Sequence, residues 1–150
     1  RRLSMCLAAG LVSMLPRYRE LSLAAGRRAV SNSSVAGDPM AELRAVLEAP
    51  TKSPDAAEGA RMELAIRLWA RRSERVHGLL LELDKARVDF IQKLLRATGI
   101  DAVRLRPLSL LIQAQLFQLW TREDLSGAER GHLVALVLDI VKSSVARKRD

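Results

Sequence analysis

The amino-acid sequence predicts an all-α protein, a helical bundle of about five helices preceded by an unassigned N-terminal helical segment. Three observations predict it. Only 3% of residues are aromatic, and the 49% hydrophobic content rests on Leu, Ala and Val, which suits packed helices better than aromatic and β-branched strands. From Asp38 onward, apolar residues recur at i, i+3, i+4 and i+7. Between these runs, Asp, Ser, Gly and Pro stand where helices begin and end. At 150 residues the chain is long enough to bury one core without metal or disulfide staples, so one domain is expected over residues 38–150. Residues 1–37 are set apart from it.

Asp38 is a good N-cap and Pro39 suits the first helical position, and Met40, Leu43, Val46 and Leu47 make an apolar stripe that ends near Pro50. The two prolines and turn-formers of Pro50-Thr-Lys-Ser-Pro-Asp55 read as a loop. The next helix spans about Ala56 to Arg72. Met62, Ala65, Ile66, Trp69 and Ala70 line its dry face, widened by Leu64 and Leu68, and Glu63, Arg67 and Arg71 line its solvent side. Ser73 caps a helix that continues to Thr98 and stops at Gly99, a strut spanning roughly 37 Å. Its core stripe is Val76, Leu79, Leu80, Leu83, Ala86, Phe90 and Leu94.

Asp101 caps a further helix with Leu105, Leu108, Ile112, Leu116, Leu119 and Trp120 in stripe positions, and Pro107 within it predicts a kink. The last helix opens on Ser126-Gly-Ala-Glu129, a capping-box spacing. Leu133, Val134, Leu136, Val137, Leu138, Ile140, Val141 and Val145 then leave only a narrow polar strip. So wide an apolar arc needs partners on more than one side, which points to a homodimer.

The net charge of +8 invites a nucleic-acid role, but its placement argues against one. Residues 1–37 hold six Arg and one Glu, a net +5, which leaves +3 for the remainder. A phosphate-tracking domain gathers its cations on one face, whereas here they gather at Arg27-Arg28 and Arg147-Lys148-Arg149. The one cysteine, Cys6, allows no internal disulfide, and a reducing cytoplasm is the expected location. Leu3 to Leu15 is too short to span a bilayer, so no membrane partner is expected. Arg1 and Arg2 before it resemble the start of a signal peptide, but Pro16-Arg17-Tyr18-Arg19 makes a poor cleavage region. The chain opens on Arg rather than Met, as a fragment or processed form would. No Ser or Cys lies in a nucleophile motif with His, and no glycine-rich phosphate loop is present, so no enzyme activity and no cofactor are expected. His77 and His132 lack further ligands at metal spacing.

A larger pattern joins these helices. It comprises Asp38-Pro39-x-x-x-Leu43, Glu63-Leu-Ala-Ile-Arg-Leu-Trp-Ala-Arg71, Leu83-Asp84-x-x-Arg87-x-x-Phe90-Ile91-x-x-Leu94-Leu95 and Gly99. In this order and spacing the chain from Asp38 to Arg147 resembles the C-terminal, ligand-sensing and dimerising half of TetR-type transcriptional regulators. The resemblance implies that the last two helices pair with a second subunit as a four-helix bundle, placing Leu108, Ile112 and Leu116 with Val134, Val137, Leu138 and Val141 at or near the seam. Gln113, Gln115 and Gln118 put amides on a second face of the same helix, able to meet a ligand or the seam. An unknown small apolar effector is the other implied partner, with Met62, Trp69, His77, Phe90, Phe117 and Trp120 as the candidate pocket. Aromatic residues at this spacing also serve as plain core. Asp84 and Arg87, three apart, form a structural pair with each other or with a neighbouring helix.

The helix-turn-helix that precedes this half in TetR-type proteins is not recognisable. The nearest fit, Gly10-Leu-Val-Ser13 followed by Tyr18, has Leu21 where an aromatic belongs and a misplaced Pro16. Residues 1–37 are therefore expected to be truncated or non-native, with DNA reached only through a head outside them. The alternative is a helical protein-interaction module with no small-molecule effector.

Overall fold

The computed structural model describes Tyr18, Glu20 and residues 27–31, 37–52 and 56–146, and these residues form helices and no strand. Helix α1 (Pro39–Lys52) starts where Asp38 predicts: Oδ1 accepts from the backbone N–H of Met40 at 2.9 Å and of Ala41 at 3.3 Å. It continues past Pro50 rather than ending there. Proline removes one backbone donor, and two side chains hold the final turn in compensation. Thr51 Oγ1 donates to the Glu48 carbonyl at 2.8 Å and Lys52 Nζ to the Glu48 carboxylate at 2.6 Å. Of the expected loop, residues 53–55 lie outside the described residues.

Helix α2 (Ala56–Ala70) closes with the Arg72 N–H on the Trp69 carbonyl at 2.9 Å. Ser73 Oγ then accepts from the Val76 N–H and starts α3 (Glu74–Ala97), which ends at Gly99 with φ +89°. Glycine adopts that left-handed conformation at no steric cost. Asp101 accepts from the Val103 N–H and starts α4 (Ala102–Thr121), which runs through Pro107 as one helix. The carbonyl that Pro107 leaves without a donor belongs to Val103, whose side chain is 81% exposed. Helix α5 (Gly127–Ala146) opens on a reciprocal box, Ser126 N–H to Glu129 at 2.8 Å and Glu129 N–H to Ser126 Oγ at 3.2 Å.

The long α3 packs most extensively on α4 and on α2, and it runs past two apolar clusters. The larger gathers Leu43 and Leu47 of α1, Ile91, Leu94 and Leu95 of α3, Ile112 and Leu119 of α4, and Val134, Leu138 and Val141 of α5. The smaller gathers Tyr18 with Ile66 and Ala70 of α2 and Val76, Leu80 and Leu83 of α3. Because α3 meets different neighbours along its length, its buried stripe rotates. Val88, Ile91 and Leu95 are buried, while Leu79, Ala86 and Phe90 of the expected stripe are only half-buried.

Helix α2 departs further from expectation. Its inward face is Ala60, Glu63, Ile66 and Ala70, and Leu64, Ala65 and Leu68 face solvent. Glu63, expected on the wet side, is completely buried, and Arg67 is partly buried beside it. Arg87 and Tyr18, from outside α2, join Arg67 in making this possible.

Among the described residues no helix is long and apolar enough to cross a membrane.

Candidate functional site, a charged joint and its cleft

Between the two apolar clusters lies a network of two carboxylates and two guanidinium groups. The Glu63 carboxylate receives Arg87 as a fork, Nη1 to Oε1 at 3.1 Å and Nη2 to Oε2 at 2.9 Å. Arg67 Nη2 also reaches Glu63 Oε1 at 2.8 Å, and the Tyr18 hydroxyl donates to Oε2. The Asp84 carboxylate receives a second fork from Arg67, Nη1 to Oδ2 at 3.1 Å and Nη2 to Oδ1 at 2.8 Å. Arg87 Nη1 and Gln113 Nε2 each add a bond to Asp84 Oδ1 at 3.2 Å. The expected Asp84–Arg87 contact is thus present as one edge of a network that ties α2, α3, α4 and Tyr18 together.

Two aromatic side chains of α4 pack on this network. The Arg67 guanidinium stands 5.0 Å from the centre of the Phe117 ring, and that of Arg87 stands 6.0 Å from Trp120. Trp120 also lies against the backbone of α2, so close that a Cβ added at Gly59 would sit 2.7 Å from its Cζ2.

The electrostatics hold each proton where it is. Burial pushes the Glu63 carboxyl up, but the bonds and charge of Arg87, with Tyr18 and Arg67, outweigh it and bring the acid below the ordinary range. Burial and the neighbouring Glu63 charge raise the Tyr18 hydroxyl well above its usual value. Burial disfavours the Arg87 cation, yet Glu63 overcompensates and raises it. All three shifts move titration away from neutral pH.

Arg67, Asp84 and Gln113 also line an open cleft of about 530 Å³ between α3 and α4. Its apolar walls are Leu81 and Val88 of α3 and Leu110, Ala114 and Phe117 of α4, and Lys85, Asp89 and Arg106 complete the lining. Among the described residues no group of three His, Cys, Asp or Glu is gathered to hold a metal ion.

Of the six residues expected to form a pocket, Phe117 and Trp120 both pack on the charged network. Phe117 is in the wall of this cleft. Trp120 is half-buried against Arg87 and Gly59, and Met62 and Trp69 pack half-buried on the smaller apolar cluster. Phe90 packs on the larger cluster, and His77 is exposed on α3. The residues expected at a seam between subunits are displaced inward. Ile112, Val134, Val137, Leu138 and Val141 are at most 7% exposed, buried in the chain's own core, with Leu108 and Leu116 half-buried against it. The reason is that α5 packs on α1 as well as α4 and spends that stripe within the chain. Gln115 is half-buried, and its amide nitrogen has no hydrogen-bond partner among the described residues. Left outside are Val103, Leu110 and Leu111 of α4 and Leu136 and Ile140 of α5.

Tyr18, Glu63 and Arg67 were not singled out as site residues by sequence, and Gln113 was read only as an amide able to meet a ligand or a seam. A glutamate four residues before an arginine on a helix reads as a solvated pair, and only the Asp84-x-x-Arg87 spacing on α3 pointed toward the network. No protein-family model, curated protein or solved structure matches the chain.

Proposed function

We propose that residues 38–147 form the effector-sensing and dimerising half of a TetR-type transcriptional repressor. The observation that carries this is the apolar surface left open on the last two helices. Leu111 is 50% exposed, Leu136 58% and Ile140 37%, although Ile112, Val137 and Leu138 beside them are buried. Large apolar side chains on two adjacent helices, outside a filled core, suit a second copy of the same face. The order of helix caps and the Glu63 to Arg71 run support the same assignment.

Helix α4 connects the two roles. Leu110, Gln113 and Phe117 line the cleft against α3, and Leu111 faces outward. An effector in the cleft would bias where α4 sits, and so how two subunits meet, provided that it binds one arrangement more tightly than the other. Recognition of DNA would belong to a head joined to this half.

Sedimentation velocity at tens of micromolar tests the assignment. A dimer that dissociates on Leu136→Glu with Ile140→Glu, at unchanged helicity, is the expected outcome. A wild-type monomer at that concentration would sink it and favour a helical module that docks other proteins.

A further inference from the structure

We propose that the α3–α4 cleft binds a small amphipathic anion, an apolar body of aromatic size carrying one carboxylate or sulfonate. As an effector site it rests on the regulator assignment above; as a binding site it stands on the following observations.

The cleft has about 530 Å³ of space, within the usual range of about 300–1,000 Å³ for small-molecule pockets. Its walls hold apolar surface that the fold leaves wet, with Leu81 56% and Leu110 47% exposed and Phe117 between α4 and the Arg67 guanidinium. Covering these side chains with an apolar body removes that surface from water.

The charge of the ligand follows from the lining. Arg67 and Asp84 neutralise each other at one end. Lys85 of α3 and Arg106 of α4 line the same cleft, and neither makes an ion pair or hydrogen bond with any described residue. Asp89 is the one further carboxylate of the lining, which leaves it with a net positive charge. A neutral ligand would cover these cations without answering them, and a cationic one would be repelled. An anion on an apolar body matches both kinds of surface.

The test is a fluorescence titration of the whole chain with 8-anilinonaphthalene-1-sulfonate, compared with N-phenyl-1-naphthylamine, which keeps the rings and lacks the sulfonate. Expected are saturable binding at one per chain, competition by decanoate, and at least tenfold weaker binding of the neutral amine. Replacing both cations, Lys85→Met with Arg106→Met, should weaken sulfonate binding about tenfold, as the loss of two partly exposed ion pairs would. Ala114→Trp, which fills the cleft from an exposed helix position, should abolish saturation; circular dichroism verifies that both variants stay folded. The proposal is overturned if the amine binds as tightly as the sulfonate, if the charge-free variant binds within twofold of the parent, or if no saturation occurs. Sedimentation of the same samples separates the two ideas, since an anion bound to a monomer keeps this site and discards the regulator.

Discussion

Arg87 and Glu63 face each other across the α2–α3 interface as a two-point fork, 24 residues apart in sequence, where the two apolar clusters meet. The Glu63 side chain is 0% exposed and that of Arg87 17%, so neither charge is answered mainly by water. Apolar side chains lie on both sides of this contact. It therefore fixes the rotation of α2 about its axis, turning Glu63 inward and Leu64 and Leu68 outward.

Breaking the fork from one side should be costly. Arg87→Met leaves the Glu63 carboxylate buried with only Arg67 and Tyr18, and a buried pair that loses one member typically costs about 3–5 kcal/mol. Removing both charges, Glu63→Met with Arg87→Met, should cost less than the sum of the single changes, because no unpaired charge remains. Urea unfolding followed by circular dichroism measures the cycle. Additive losses would show that the two groups do not act as a pair.

Acid should act through the same carboxylate. Its folded pKa is lowered, so its contribution is complete above the ordinary value of 4.5 and is lost as pH falls through the folded value. Tyr18 works in the opposite sense: its raised hydroxyl contributes fully below 10.0 and loses that contribution as pH rises through the folded value. Stability should thus be nearly level from about pH 5 to about pH 9 and fall on either side. Glu63→Gln should flatten the acid limb of unfolding free energy against pH. Asp124, held at about 2 chiefly by its hydrogen bond to Arg122, is exposed, so Asp124→Asn should change that limb little in salt.

Two helical glycines should respond oppositely to alanine. Gly78 of α3 has nothing within 4 Å of an added Cβ, so Gly78→Ala should stabilise by about 0.5–1 kcal/mol through helix propensity. At Gly59 the same methyl meets the Trp120 ring at 2.7 Å, and overpacking of this kind costs about 1–3 kcal/mol, more than propensity returns. Gly59→Ala should therefore destabilise and shift the indole emission, since the ring must move. Equal effects at the two positions would show that Trp120 is not seated against α2.

These contrasts also mark how far the sequence was legible. Asp38, Ser73, Asp101 and the Ser126–Glu129 box are local devices whose partners lie two or three residues away, and each starts a helix where expected. Two of the Glu63 partners, Arg87 and Tyr18, lie 24 and 45 residues away, and periodicity alone places a glutamate on the wet side of α2. A buried ion network is invisible to a pattern of apolar spacing, because such a pattern counts it as surface. The same limit applies to α5. Its wide apolar arc was evident, but how the arc divides between the chain's own core and the open face depends on α1 packing against it.

That division can be measured. Ile112 is fully buried in the chain, so Ile112→Ala should open a cavity and cost about 2–5 kcal/mol at any protein concentration. Leu136 is 58% exposed, so Leu136→Ala should change the stability of a single chain by no more than about 0.5 kcal/mol. If the open face is a seam, association adds stability by mass action, and the Leu136 variant alone should lose the rise of melting temperature with concentration. Thermal unfolding of both variants over a hundredfold range of concentration separates the two effects. A Leu136→Ala protein whose melting temperature still climbs like the parent's would place the contact between copies elsewhere on the molecule.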